Sequence, residues 1–289
     1  MRSCSLVVGG DGNIGAALLR NLSGDGLPPV GTSRRPDAAM AGLLPLDLSS
    51  DAATWNLPEN ISAAVLCAAV TNTERCRRDP EGTRRINVDN TFRLVERLVA
   101  SGCFVIFPST NLVFDGETPH CPANAPRRPA CEYGRQKAES ESLLLSLGEN
   151  VAVLRLSKVL TPRMPLFARW RNEILSGRVV RAFSDMPFAP VPLDLVVQTI
   201  VALLRSRSGG IWQLSAAEDI SYADAARSLC SSLGAPSELV LSTSWREALP
   251  ALEHVPQHTT LDSTLICTKF ALEIPLARQT LAQFLETLQ

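Results

Sequence analysis

A tyrosine and a lysine stand four residues apart in a stretch whose pattern predicts a helix. They are Tyr133 and Lys137, within the sequence EYGRQK. Four-residue spacing places two side chains on one face of a helix, so a phenol and an ammonium can share a site. A nearby ammonium favours the phenolate, and we therefore expect Lys137 to lower the pKa of Tyr133 and make it a usable acid or base. Such pairs also occur by chance, but the chain has only two tyrosines.

A hydroxyl pair, Ser109-Thr110, follows the predicted strand Phe104–Phe107. In doubly wound proteins, ligands bind at the carboxyl ends of the strands. A hydroxyl there could hold a substrate carbonyl beside Tyr133. The alternative is ordinary turn chemistry, because Ser, Thr and Asn are common after strands.

Three glycines recur at three-residue intervals between a predicted strand and a predicted helix. Gly9 lets the chain leave the strand sharply, and Gly12 removes a side chain where backbone must approach a pyrophosphate. Gly15 lets the helix pack close to the sheet. The helix start at Asn13 and Ile14 offers free N–H groups to phosphates. The pattern therefore favours a dinucleotide site, with a flexible turn as the alternative.

The turn after the second predicted strand bears on cofactor preference. It reads Ser33, Arg34, Arg35, where an NAD-type enzyme usually has an acidic residue for the ribose 2′-hydroxyl. A guanidinium can pair with a 2′-phosphate, so the sequence favours NADP, with NAD still open. The alternative is a solvated arginine pair. Further on, Asp47 and Leu48 are assigned to the adenine end of the cofactor, although Asp47 could equally be a plain surface residue.

Alternating strands and helices must position these residues. The apolar periodicity predicts strands over residues 5–8, 29–32, 63–69, 104–107 and 151–156, and helices over 13–22, 86–100 and 132–147. Further on it predicts helices over 164–176, 193–206, 221–233 and 275–288, and a strand over 211–214. We expect an α/β fold, a Rossmann-type doubly wound parallel sheet with a smaller C-terminal substrate-binding region. The expected domains are an NAD(P)-binding domain over 1–160 and a mainly substrate-binding region over 161–289, with segments near 193–215 returning to the Rossmann core.

Taken together, these features resemble the extended short-chain dehydrogenase/reductase superfamily. Within it, the chain is similar to the dTDP-4-dehydrorhamnose reductases and their relatives, which act on sugar nucleotides. The resemblance runs nearly end to end and includes the glycine loop, Ala68-Ala69, Ile86-Asn87-Val88, STNLVFDG over 109–116, the Tyr133/Lys137 pair, Leu154-Arg155-Leu156 and Pro256–Asp262.

The resemblance implies roles for particular residues. Thr110, Tyr133 and Lys137 are the expected catalytic triad, in which Tyr133 gives a proton to a keto oxygen and Lys137 also grips the nicotinamide ribose. Ala68, Ala69 and Asn87 are expected to line the cofactor site. From its position alone, Asn87 either braces a water relay to Lys137 or caps the helix that it begins.

The chain departs from the family pattern at substrate-facing positions. The family motif S-T-D-Y-V-F has Asn111 and Leu112 here in place of Asp and Tyr, and Val255 stands where the late motif has arginine. Asn111, Leu112 and Arg155 are the expected substrate-binding residues. The proton-relay positions are intact, so the resemblance implies the fold and the redox chemistry without naming the sugar.

The expected function is therefore that of an NAD(P)H-dependent oxidoreductase reducing a keto group of a sugar nucleotide or a similar polar small molecule. One alternative is a sugar-nucleotide epimerase or dehydratase that retains NAD. The arginine pair after the second strand mildly disfavours this alternative. The other is a non-catalytic NADP-binding regulatory subunit, because the same branch includes a regulatory partner of methionine adenosyltransferase. The intact triad disfavours this second alternative.

Composition excludes several further classes of partner and location. Of 289 residues, 28 are Lys or Arg and 29 are Asp or Glu, which argues against nucleic-acid or membrane-surface partners. No apolar stretch approaches the ~20 residues of a membrane-spanning helix. The eight cysteines form no C-x-x-C, and Pro256 separates His254 from His258, so we expect no metal site. The apolar run before Gly9 is too short for a signal peptide, which favours a cytoplasmic location, and the sequence leaves a homodimer open.

Overall fold

The structure, a computed structural model, describes residues 3–23, 28–248 and 254–288. The strands in this part of the chain are β1 (Cys4–Val8), β2 (Pro29–Ser33), β3 (Leu44–Pro45), β4 (Ile61–Leu66), β5 (Phe104–Thr110), β6 (Val151–Leu156), β7 (Lys158–Leu160), β8 (Val180–Phe183), β9 (Pro187–Phe188), β10 (Pro190–Pro192), β11 (Gly210–Leu214), β12 (Ile220–Ser221) and β13 (Val240–Thr243). The α-helices are α1 (Asn13–Leu22), α2 (Thr73–Arg78), α3 (Pro80–Arg84), α4 (Thr91–Ala100), α5 (Glu132–Leu145), α6 (Pro165–Leu175), α7 (Leu193–Ser206), α8 (Tyr222–Ser232), α9 (Trp245–Ala248), α10 (Thr264–Phe270) and α11 (Ala277–Glu286).

Seven strands form the central sheet in the order β11-β6-β5-β4-β1-β2-β3. The pairs β1–β2, β1–β4, β2–β3 and β4–β5 are parallel. The strand order reverses at β1, and such a reversal opens a crevice at the carboxyl ends of the neighbouring strands. The prediction of a Rossmann-type doubly wound α/β fold is therefore confirmed.

Burial explains why the apolar runs became central strands. Every residue of β1 and of β6 is buried, as expected for parallel strands covered on both faces. The core around them contains Leu6, Val105 and Phe107 from the sheet, with Leu94 and Leu98 from α4 packed against it. The sheet is thus a rigid base for residues that follow its strand ends.

The chain divides into two compact units that interleave along the sequence. The first comprises segments 1–113, 127–155 and 194–212, and the second comprises 114–126, 156–193 and 213–289. The sequence predicts a boundary at residue 160, with segments near 193–215 returning to the first unit; in the structure, residues 114–126 belong to the second unit as well. Segment 194–212 belongs to the first unit, and the apolar α7 within it buries eight residues.

The second unit has its own core. Phe167 and Trp170 of α6 meet at a centroid distance of 5.3 Å, and Phe167 lies 5.1 Å from Phe284 of α11. Small residues of α8, including Ala223 and Ala226, complete this cluster. No helix in the described ranges is long and apolar enough to span a membrane.

Candidate active site

The glycine loop joins β1 to α1 in a conformation that excludes side chains. Gly9 has a φ of +84°, and a Cβ on it would lie 2.7 Å from the Ala68 nitrogen. A Cβ on Gly15 would lie 2.2 Å from the Gly9 carbonyl oxygen, whereas one on Gly12 would lie 3.3 Å from the same atom. The Gly12 N–H donates to the Gly9 carbonyl at 3.1 Å and closes the turn. The loop therefore needs glycine most strictly at positions 9 and 15.

The start of α1 is left open to a ligand. Gly12 is its N-cap and supplies no side-chain cap, the Asn13 residue is exposed, and Ile14 is half-buried. The first N–H groups of a helix have no partner within the helix, and they favour an anion. This end of α1 has the chemistry of a pyrophosphate site.

The two arginines after β2 have different surroundings. The Arg35 Nε atom lies 3.1 Å from Oδ2 of Asp11 in the glycine loop, and the Arg35 N–H donates to the buried Ser33 hydroxyl at 3.1 Å. Arg34 is exposed and has no hydrogen-bond or ion-pair partner in the part of the chain that the structure describes. Arg34 is thus the cation left available for an anionic group.

A groove of about 400 Å³ lies beside these arginines. It is lined by Ser33, Arg34, Arg35, Pro36, Leu43, Pro45, Leu46, Asp47, Ser50, Thr54, Trp55 and Asn56. One carboxylate oxygen of Asp47 accepts from the Ser49 N–H at 2.8 Å, and its carbonyl accepts from the Trp55 indole at 3.0 Å. Leu48 is only 4% exposed and packs in the core, so its side chain is a structural support and not part of the groove.

Ala68, Ala69 and Asn87 form the next part of the site. The Ala68 N–H donates to the Val8 carbonyl at 2.9 Å, so the chain after β4 lies directly against the glycine loop. The buried Asn87 amide accepts from the Val70 N–H at 2.8 Å and donates to the Val70 carbonyl at 3.0 Å. Instead of capping a helix, Asn87 fixes the segment that carries both alanines.

Tyr133 lies in the first turn of α5 and is 8% exposed. It packs with Val70 and Cys76, and its hydroxyl has no hydrogen-bond partner among the residues that the structure describes. Burial raises the pKa of Tyr133 well above its usual value, and the thiols of Cys76 and Cys131 add to the effect. The expected lowering by Lys137 is wrong: burial sets the direction of the shift, and Lys137 is not among its causes. Tyr133 is a protonated phenol at neutral pH.

Lys137 lies one turn further along α5 and is 2% exposed. Its Nζ donates to the Pro108 carbonyl at 2.6 Å and lies 3.5 Å from the centroid of the Phe107 ring. Burial lowers the pKa of Lys137 to about 7, against the opposing effects of Glu141 and Cys67. The side chain is therefore close to balance between ammonium and amine at neutral pH.

Thr110 is the last residue of β5, and the turn that follows it touches the start of α5 through Leu112. The Thr110 hydroxyl, 8% exposed, accepts from the Leu112 N–H at 3.2 Å and lies 3.5 Å from the Asn111 side-chain oxygen. A Cβ on Gly134 would lie 2.1 Å from the Leu112 carbonyl, so glycine is needed for this turn to touch the helix. Leu112 also packs against the cluster that contains Tyr133.

Arg155 does not have the surroundings expected of a substrate ligand. Its side chain is 1% exposed, and its Nε and Nη2 atoms donate to the Glu141 carboxylate at 3.0 Å and 2.7 Å. These surroundings do not favour the predicted role of Arg155 in substrate binding, because Arg155 lies in a strand buried on both faces and its charge needs an internal partner. The sequence does not predict a role for Glu141, which stands four residues after Lys137 on the same helix face.

The described ranges contain no group of three or more His, Cys, Asp or Glu side chains that could hold a metal ion. All eight cysteines are free thiols.

A Rossmann-type sheet with a glycine loop and a Tyr-x-x-x-Lys helix defines the architecture of an extended short-chain dehydrogenase/reductase. Within that class, one family matches almost the whole chain. The chain belongs to the family described as RmlD substrate binding domain, whose model matches residues 3–289.

Known proteins resemble the chain to different extents. It is 24% identical over 250 residues to a probable low-salt glycan biosynthesis reductase, Agl14, from Haloferax volcanii, and the match covers 83% of each chain. It is 27% identical over 153 residues to bovine methionine adenosyltransferase 2 subunit beta, but there the match spans only 45% of that protein and 52% of this chain. The crystal structure of dTDP-4-dehydrorhamnose reductase from Bacillus anthracis str. Ames in complex with NADP has a TM-score of 0.84 at 17% identity, covering 98% of both chains. This structural likeness shows a shared fold.

Proposed function

We propose that the protein is an NAD(P)H-dependent reductase that converts a keto group of a sugar nucleotide, or of a similar polar small molecule, to an alcohol. The main observation that supports this proposal is the state of Tyr133. It is a protonated phenol whose hydroxyl has no hydrogen-bond partner in the described ranges, and it lies one helical turn from Lys137. A reductase of this kind needs a proton donor at the keto oxygen. The names of the similar reductases, one of them bound to NADP, support the same conclusion.

The residues fit a dinucleotide cofactor. The side-chain-free glycine loop and the open start of α1 would hold the pyrophosphate, and the groove beside Arg34 would hold the adenosine end. Arg34 favours a 2′-phosphate, so NADPH is the preferred cofactor and NADH the weaker one. When bound, the nicotinamide supplies the hydride.

The chain's own side chains handle the proton and the carbonyl. Tyr133 donates its phenolic proton to the keto oxygen as that oxygen gains charge, a step usually worth about 10²–10⁴-fold in rate. Lys137, when protonated, stabilises the resulting phenolate and holds the nicotinamide ribose. The Thr110 hydroxyl orients the carbonyl, and Asn111 and Leu112 face the rest of the substrate.

The second unit is proposed as the main substrate-binding region, because the glycine loop and the groove beside Arg34 lie in the first unit. A small molecule is the expected partner, and a homodimer is a further prediction that calls for a measurement of mass in solution. The free cysteines suit a reducing compartment, which favours the cytoplasm.

Two other functions are weaker candidates. An epimerase or dehydratase that retains NAD would be served better by an acidic residue than by Arg34 after β2. A regulatory subunit is suggested by the likeness to methionine adenosyltransferase 2 subunit beta, but such a subunit has no need of a buried lysine one helical turn from a buried phenol. The site therefore favours the reductase.

A panel assay separates the three. Purified protein is mixed with NADPH and a set of dTDP- and UDP-linked 4-keto sugars, and separately with NAD and dTDP-glucose or UDP-glucose, and both cofactor consumption and product are measured. A reductase consumes one NADPH for each alcohol formed. Turnover of dTDP-glucose or UDP-glucose without net cofactor consumption would indicate a dehydratase or epimerase. Tight NADPH binding without any turnover would indicate a regulatory subunit and overturn the proposal.

A further inference from the structure

The Ser109–Glu141–Arg155 network lies one helical turn beyond Lys137. Glu141 is fully buried, and its carboxylate accepts from the Ser109 hydroxyl at 2.6 Å and from Arg155 at 2.7 Å. Arg127 adds a longer contact at 3.4 Å from a partly exposed side chain. Each carboxylate oxygen of Glu141 thus accepts from a hydroxyl or a guanidinium donor.

Few groups act on the Lys137 ammonium. From α5 it is faced by Glu141, with Tyr133 one turn earlier, and from the end of β4 by the Cys67 thiol. From β5 it meets the uncharged Pro108 carbonyl and the Phe107 ring. Glu141 is therefore the one carboxylate near Lys137 in the described part of the chain.

We propose that Glu141 is a positioning residue, whose carboxylate, fixed by Ser109 and Arg155, favours the ammonium form of Lys137 in the active site. This inference rests on the proposed role of Lys137 in the reductase. It also explains the neighbouring hydroxyls of β5, because Ser109 holds Glu141 while Thr110 is left for the substrate. A purely structural role, in which Glu141 only neutralises Arg155, is the competing explanation.

Electrostatics gives the direction of the effect. Burial has already lowered the pKa of Lys137 to about 7, and Glu141 gives the largest opposing contribution. Removing that negative charge would lower the pKa further and leave a neutral amine at pH 7. A neutral amine cannot stabilise a phenolate, so the Tyr133 proton would be transferred less readily.

The chain offers a direct measurement, because it has only three lysines: Lys137, Lys158 and Lys269. Lysine labelled with ¹³C at Cε gives three NMR signals, which Lys158→Arg and Lys269→Arg assign. In the full-length protein without substrate, the Lys137 signal should titrate near pH 7. The exposed Lys269 provides an internal reference.

Two variants distinguish the two roles. Glu141→Gln should lower the Lys137 midpoint by about one pH unit or more. Glu141→Gln combined with Arg155→Gln removes both buried charges, so it leaves no uncompensated ion and remains testable if the single variant does not fold. Loss of the Arg155 cation by itself favours the ammonium, so the double variant is compared with Arg155→Gln alone. The proposal predicts a lower Lys137 midpoint in the double variant than in Arg155→Gln, and Glu141→Asp should keep the midpoint closer to the wild-type value than Glu141→Gln does. A double variant whose Lys137 titrates as in Arg155→Gln would overturn it. Since no substrate is used, this result is independent of whether the reductase assignment holds.

Discussion

Arg35 is bound to Asp11 through an Nε–Oδ2 contact of 3.1 Å, which ties the turn after β2 to the glycine loop. The pair is largely exposed on the arginine side, so its net contribution to stability is small. The pair is important because it occupies Arg35 and leaves the neighbouring cation, Arg34, available for a ligand phosphate.

We expect Arg34→Asp to weaken NADPH binding by about 10- to 100-fold, or about 1.5–3 kcal/mol, the scale of a charge-assisted contact. NADH, which lacks the 2′-phosphate, should be spared. Arg35→Gln is the matched control and should affect NADPH less. Titration calorimetry of both cofactors checks this. Equal affinity of the wild type for NADPH and NADH would count against the assignment of Arg34.

The glycine loop gives a second prediction. Gly15→Ala places a Cβ 2.2 Å from the Gly9 carbonyl, and relieving that clash should cost about 2–4 kcal/mol of unfolding free energy. Gly12→Ala places its Cβ at 3.3 Å from the same oxygen, so stability should fall by less than about 1 kcal/mol. Urea unfolding measures both. Similar losses for the two variants would mean that the loop is more plastic than its geometry implies.

The sequence predicts the central sheet and the positions of the glycine loop and the Tyr133–Lys137 helix, because these depend on local pattern. It does not predict α2 and α3, which are short, polar and begin at the side-chain caps Asn72 and Asp79. Nor does it predict the raised pKa of Tyr133 or the pairing of Arg155 with Glu141. Both arise from burial between segments distant in sequence, which periodicity cannot register.

Lys137 should leave a signature in the pH dependence of stability. Its pKa is about 7 in the folded protein and 10.5 for a lysine without these surroundings. Between these two pH values the unfolded chain therefore binds more protons than the folded protein. The free energy of unfolding therefore rises with pH in this window. The destabilisation caused by burying Lys137 is largest below pH 7. The unfolding free energy of the wild type, minus that of Lys137→Met, should rise by roughly 1.5 kcal/mol from about pH 7 to about pH 8.5. A difference that stays constant with pH would show that Lys137 is not buried as a near-neutral amine.

Leu112 should limit the choice of substrate. It packs beside Tyr133 and offers neither the hydroxyl nor the ring of the family tyrosine. We expect dTDP-4-dehydrorhamnose to be reduced at least about 100-fold less efficiently in kcat/KM than the best ketone of the panel. Leu112→Tyr should narrow that gap, with Leu112→Met as the control for packing. Efficient reduction of dTDP-4-dehydrorhamnose by the wild type would contradict this role.

The central claim is that Tyr133 donates a proton during reduction, and Tyr133→Phe tests it most directly. The hydroxyl has no hydrogen-bond partner in the described ranges, so its removal should change stability and NADPH affinity little. Tyr222→Phe alters the only other tyrosine and serves as the control. On the best substrate of the panel, the rate of NADPH oxidation should fall by about 10²–10⁴-fold in Tyr133→Phe, or ~3–5 kcal/mol of barrier, and stay near wild type in Tyr222→Phe. Wild-type turnover by Tyr133→Phe would contradict the account.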